Sequence, residues 1–238
     1  MKTFYVKLSS LGAATFLFFA VLSLSSCLKN QDAVVIPVAY FNVVHASTNA
    51  GALQFSLDNN RQNYNNFDYR NYTGYLNAYT GNRSFKLYKK YENNVLESVS
   101  IQLDEGKSYS MFIVDTADKM ETVLLRDSSR APGQDSVRIR FANMSPDVPA
   151  VDLYIQGAAT PIATHVSYKS ANDFASLKAA NDVVFEIKAA GQNTVLATSE
   201  KVNLLNRQYY TVLATGYQGL SNDGKLRVAT MKHFRAYY

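Results

Sequence analysis

The chain has 238 residues, with 24 Lys and Arg against 19 Asp and Glu, a formal charge of +5, one cysteine and no tryptophan. A single cysteine excludes disulfides and thiolate zinc sites, and with Lys2 and Lys7 assigned to a leader the remaining +3 is too small for a nucleic-acid footprint. The length suits one large domain or two small ones.

In chain order, Lys2 and Lys7 precede an apolar run over residues 11–22, and no acidic residue appears before Cys27. This is the grammar of a secretory signal, and the run is shorter than the roughly 20 residues that span a bilayer core. Leu24-Ser25-Ser26-Cys27 resembles the lipobox that lipoprotein signal peptidase reads. The expectation is a signal peptide over residues 1–26, Cys27 as the lipid-bearing first residue of the mature chain, and a short polar tether over residues 27–36. At roughly 0.8 kcal/mol per buried CH₂, palmitate-type acyl chains on Cys27 would hold the protein on a membrane without a transmembrane helix. Leu28, where some lineages place an inner-membrane retention aspartate, favours the outer membrane.

Beyond the tether the chain repeats itself. Phe41-Asn-Val-Val-His-Ala-Ser47 followed by Leu53-Gln-Phe-Ser-Leu-Asp58 matches Phe141-Ala-Asn-Met-Ser145 followed by Val151-Asp-Leu-Tyr-Ile-Gln156. Further pairs, Phe85-Lys-Leu with Phe185-Glu-Ile and Gly106-Lys-Ser-Tyr109 with Asn206-Arg-Gln-Tyr209, keep an offset near one hundred residues. Ordered matches at constant offset predict two homologous units. Asp127-Ser-Ser-Arg-Ala-Pro-Gly-Gln-Asp-Ser136 between them has the composition of a solvated linker, so the predicted domains are 37–126 and 137–238, joined by 127–136.

Within each unit apolar residues alternate with period two, the mark of strands. In Val137-Arg-Ile-Arg-Phe141 the apolar residues should face in, with Arg138 and Arg140 facing out. Met111-Phe-Ile-Val114 and Tyr209-Tyr-Thr-Val-Leu213 are apolar on both sides and should be central strands. Turns at Asp104-Glu-Gly-Lys107, Thr80-Gly-Asn82 and Asn222-Asp-Gly224 separate the runs at sandwich-like intervals. The predicted fold is therefore all-β, with two tandem antiparallel β-sandwich domains of immunoglobulin-like layout.

Ser145-Pro146-Asp147-Val148-Pro149 and Val151-Asp152-Leu153-Tyr154 resemble the opening turn and strand of a bacterial domain family of unknown function, number 4397. In the first unit Thr48 and Asn49 replace the Pro and Asp, and Leu53-Gln54 replaces Val-Asp, as in a diverged copy. The resemblance implies extracytoplasmic sandwich modules, often in tandem on envelope lipoproteins, and no activity. Physically, Ser145, Pro146 and Asp147 read as a strand-end turn, because proline presets φ and the Ser and Asp side chains can accept local backbone N–H bonds.

The residues that could carry chemistry are few. His45, His165 and His233 show no metal-ligand spacing; His45 aligns with Asn143 and reads as a local hydrogen-bonding site, while His165 and His233 read as partly exposed. No serine elbow or phosphate-cradling glycine loop is present, so no enzymatic activity, cofactor or metal is expected. The segment from Tyr64 to Tyr91 is rich in tyrosine and asparagine, and Tyr72, Tyr75 and Tyr79 are its candidate ligand surface, since such rings suit sugars and protein interfaces. Asp115-Thr116-Ala117 and Asp135-Ser136-Val137 resemble a short O-glycosylation acceptor, with Ser136 favoured as a linker residue. The expected function is a non-enzymatic binding, adhesion or scaffolding module, anchored to the outer membrane through Cys27 and contacting glycan or an envelope protein; the alternative is a carbohydrate-binding accessory of an outer-membrane glycan uptake system.

Overall fold

Alternating apolar residues generate strand after strand from Val38 to His233. The structure, a computed structural model, describes residues 36–62, 67–127 and 130–233. The signal peptide, Cys27, the tether before residue 36 and Tyr64 lie outside the described residues.

The first unit contains β1 (Val38–His45), β2 (Leu53–Leu57), β3 (Asn60–Gln62), β4 (Leu76–Tyr79), β5 (Gly81–Lys89), β6 (Val95–Leu103), β7 (Ser108–Val114) and β8 (Glu121–Arg126). They form two sheets, ordered β4-β1-β7-β8 and β3-β2-β5-β6. Phe41, Phe55, Phe85, Leu53, Leu87 and Met111 fill the space between them. The second unit contains β9 (Ser136–Asn143), β10 (Val151–Ile155), β11 (Ala163–Val166), β12 (Ser170–Ala171), β13 (Ala175–Lys178), β14 (Ala180–Val183), β15 (Phe185–Ala189), β16 (Val195–Thr198), β17 (Val202–Leu204), β18 (Tyr209–Thr215) and β19 (Arg227–His233). Its main sheets run β12-β9-β18-β19, with β13 also on β9, and β11-β10-β15-β16. Val137, Ile139, Phe141, Phe185 and Val212 lie in this second core.

The predicted central strands, β7 and β18, are interior in their sheets. Most pairings are antiparallel, but β1 runs parallel to β7 and β9 runs parallel to β18. Periodicity reports which side chains share a face and is silent on strand direction.

The repeat is written into the backbone. Left-handed φ values recur in the pairs Asp58 and Gly157, Arg70 and Lys169, Gly81 and Asp182, Tyr91 and Gly191, Gly106 and Arg207, and Asp115 and Gly216. Such values are uncommon outside glycine, so six pairs at offsets of 99 to 101 mark the same turns made twice.

Two expectations are corrected. Arg140 does leave its own core, but it is 2 % exposed because the first sandwich covers it. Within 127–136, residues 130, 131 and 133–135 are exposed, but the ends are not solvated: Asp127 is buried, and Ser136 opens β9 with its hydroxyl buried and unpartnered. Its accessibility, the reason to favour it for glycosylation, is thereby lost. Both sandwiches belong to one compact unit from Pro37 onward.

Candidate functional site

The sheets containing β1 and β9 are buried on both faces, as their unbroken burial over Phe41–His45 and Ile139–Asn143 shows. On the outward faces, Val44, Ala46, Phe112 and Val114 of the first sandwich pack against Ala142, Met144, Leu213 and Met231 of the second. Val44 pairs with Phe112 across one parallel ladder, and Ala142 pairs with Leu213 across the other. The two repeats thus meet through equivalent patches, as the halves of a symmetric dimer do.

The symmetry breaks in the polar part of this contact. Asn42 and Ser110 face each other in the first ladder, with an amide-to-hydroxyl bond of 3.3 Å. At the equivalent place in the second ladder stand Arg140 and Thr211, and Arg140 Nε donates to Thr211 Oγ1 at 2.9 Å. Arg140 Nη2 donates to Asp127 Oδ1, and Ser110 and Tyr75 donate to Asp127 Oδ2. Tyr75 Oη also lies 2.7 Å from His233 Nδ1, while His233 Nε2 lies 2.7 Å from Thr211 Oγ1.

Donor counts set the directions. Burial pushes the His233 pKa down to about 4, so the ring is neutral and carries one N–H. Tyr75 spends its single proton on the carboxylate, and therefore His233 Nδ1 must donate to Tyr75 while Thr211 donates to Nε2. The result is a closed circuit, Arg140 to Thr211 to His233 to Tyr75 to Asp127, with Arg140 returning to Asp127. Arg140 also lies over the Phe174 ring at 4.8 Å. Burial, and then the Asp127 carboxylate, hold the Tyr75 phenol well above its ordinary range. Each member has its partner, so this cluster fastens the sandwiches together.

Fastening them leaves a cleft of about 540 Å³ along β19. One wall carries Arg70 and Tyr72 from the first sandwich; the other carries residues 198–203 and Leu205 with β19 side chains of Arg227, Thr230 and Lys232. Tyr210 at its base donates to Asn203 O at 3.3 Å and accepts from Leu205 N at 2.9 Å, fixing the loop that forms the rim. The volume falls within the roughly 300–1,000 Å³ typical of ligand sites.

Of the tyrosines singled out from the sequence, Tyr79 is 59 % and Tyr72 37 % exposed, and only Tyr72 lines the cleft. Tyr75 is half-buried, and its hydroxyl turns inward to close the buried circuit. His233, expected to be partly exposed, is buried in the same circuit. His165 is exposed. His45 and Asn143 occupy equivalent strand ends, where His45 Nε2 bonds Gly51 O at 3.0 Å and Asn143 donates to Val166 O at 3.1 Å; burial lowers the His45 pKa. Among the described residues no three His, Cys, Asp or Glu side chains gather into a metal-holding group.

The Ser-Pro-Asp turn ties the strand end to the loop after β18. Ser145 donates to Gly216 O at 2.5 Å, and the Asp147 carboxylate accepts from Gln218 N and Gly219 N at 2.9 and 3.2 Å. The model of the family described as "Domain of unknown function (DUF4397)" matches residues 39–154 and again residues 142–234.

The chain belongs to the DUF4397 family.

Its two copies stand in tandem, and the signature residues of the second bind loops. Besides the Ser-Pro-Asp contacts, DUF4397-type Asp152 is 3 % exposed and accepts from His165 N at 2.7 Å and Gly191 N at 2.9 Å. In the first copy the equivalent Gln54 accepts from Tyr91 N at 3.4 Å. No curated protein sequence matches the chain. Among solved structures, similarity is found to a family 41 alpha-glucan-recognising carbohydrate-binding module from streptococcal virulence factors, at 14 % identity and TM-score 0.25 over 80 % of this chain and 96 % of that one. Similarity is also found to a family 26 module of Eubacterium rectale Amy13K in complex with maltoheptaose, at 9 % identity and TM-score 0.28 over 83 % of this chain and 98 % of that one.

Proposed function

We propose that this protein is a non-enzymatic binding module, held on the outer membrane of the cell envelope by lipid on Cys27, with the cleft along β19 as its contact face. One observation carries the reading. The buried circuit between Arg140, Asp127, Tyr75, His233 and Thr211 joins the two sandwiches, so a cleft with walls from both is held in shape before any ligand arrives. A preformed site spares the ordering cost of binding. Tyr75 and His233, two titratable groups perturbed by burial, are spent on each other and do not line the cleft, which supports contact in place of proton-transfer chemistry.

The anchor rests on the leader and on Leu24-Ser25-Ser26-Cys27. Labelled palmitate should enter the wild-type chain and not Cys27→Ser; equal labelling of both would defeat the anchor. For the contact face, the full-length chain should retain envelope glycans or envelope proteins, and Tyr72→Ala should lose them at unchanged thermal stability. Unaltered retention would place the contact face elsewhere.

A further inference from the structure

We infer that the cleft receives an acidic oligosaccharide, its carboxylate or sulfate groups held by Arg70, Arg227 and Lys232 and one sugar face laid on Tyr72. The inference rests on the reading of the cleft as the contact face and adds the ligand's chemistry to it.

Charge is the first ground. Arg70, Lys201, Arg227 and Lys232 line the cleft against one acid, Glu200. The lining residues thus carry an excess of three positive charges. A cleft with low-dielectric walls focuses such a field. The acids paired with two of these cations are solvent-facing: Asp223, 92 % exposed, lies 3.6 Å from Arg227, and Asp182 lies 3.8 Å from Lys201 with both side chains about 70 % exposed. Exposed pairs of this kind contribute little, so an incoming acid group displaces them readily.

The second ground is the surface beside the charges. Tyr72, part exposed and part packed, lines the same cleft as Arg70, and an aromatic face with a hydroxyl suits an amphipathic sugar ring. Among the described residues β19 is an edge strand, paired along its length with β18 and touched on its other side by a bridge between Val228 and Ser199. The backbone along Ala229 and Thr230 therefore borders the cleft, and edge amides and carbonyls suit sugar hydroxyls. A bare anion would leave the ring and the strand edge unused.

Titration calorimetry on the full-length chain in non-ionic detergent tests this with oligogalacturonate, its fully methyl-esterified form, citrate and poly-glutamate oligomers. Oligogalacturonate should bind and the ester should not; added salt should weaken binding. Arg227→Gln and Arg70→Gln should each reduce affinity about tenfold, the usual order for a charge contact in a partly desolvated site, and Tyr72→Ala should do the same. Arg83→Gln, in an ion pair away from the cleft, should leave binding unchanged. Equal binding of the ester and the acid would overturn the charge requirement while leaving the cleft as the contact face. Equal binding of citrate or poly-glutamate would overturn the saccharide. If no probe binds and Tyr72→Ala still loses envelope components, the inference falls alone; if Tyr72→Ala loses nothing either, the proposed contact face falls with it.

Discussion

Arg140 of the second sandwich and Asp127 of the first form an ion pair in which both side chains are 3 % exposed. Two charges withdrawn from water are costly unless each finds further partners. Here they do: Asp127 accepts from Tyr75 and Ser110 as well, and Arg140 donates to Thr211 and to Arg126 O. Removing one partner leaves the other charge buried and alone. Arg140→Ala should therefore cost about 3–5 kcal/mol, read as a lower denaturant midpoint. The double variant Arg140→Leu/Asp127→Leu should recover much of that loss, since no charge is then stranded.

The same circuit makes stability depend on pH. His233 has a folded pKa of about 4 against 6.5 for the free side chain, so between those values the unfolded chain binds the extra proton. Stability is then fully present above pH 6.5, falls as pH drops through the window, and levels below about 4. The contribution of this residue is about 3 kcal/mol, and His45, also lowered by burial, acts in the same direction. Urea unfolding at pH 7.5 and 4.5 should show the loss. His233→Gln should narrow the difference between the two pH values; an unchanged difference would remove His233 as its source.

The candidate tyrosines separate by the same measurement. Tyr75→Phe keeps the ring and deletes the hydroxyl that bridges Asp127 and His233, and should cost about 1–3 kcal/mol. Tyr79→Ala and Tyr72→Ala, at exposed positions, should stay within about 0.5 kcal/mol of the wild type.

Gly216 tests the turn beside the Ser-Pro-Asp motif. Its φ is +86°, and a Cβ placed there would lie 2.3 Å from Lys225 O and 2.6 Å from Gly224 O. Gly216→Ala must push one backbone off another and should cost more than the roughly 1–2 kcal/mol expected for left-handed strain alone. Gly157, with φ +80° and open space around its Cβ position, isolates that strain, so Gly157→Ala should stay within that range. Equal costs would mean that the close approach at Gly216 carries no energy. The equivalent of Gly216, Asp115, has a φ of 71° and uses its side chain there, accepting from Thr116 N at 2.7 Å and from the Tyr217 hydroxyl.

Much of this architecture is local and so was legible residue by residue. Phe41 and Ile139 hold the same place in β1 and β9, as do Val43 and Phe141, because each alternates with neighbours that must point the other way. The Ser145-Pro146-Asp147 turn was readable from its composition, but the partners of its side chains were not, because Ser145 bonds Gly216 O and Asp147 accepts from Gln218 N and Gly219 N, 71 and 72 residues along the chain. His233, by contrast, looks like any exposed strand histidine, and its burial depends on Tyr75, 158 residues away. Arg138 and Arg140 have the same alternation, yet Arg140 is buried against Asp127 while Arg138 is half-buried.

From the sequence alone came the duplication, the strand pattern, the two cores and the family, all of which rest on spacing and on backbone demands that recur every hundred residues. Tertiary structure alone decided that the two copies fasten through equivalent faces, that Asp127 and Tyr75 belong to the fastening, and that Arg70 and Tyr72 share a cleft with β19. Period two says that a side chain leaves its own core; what lies across from it is settled by which surfaces meet, and that is a property of packing between segments far apart in the chain.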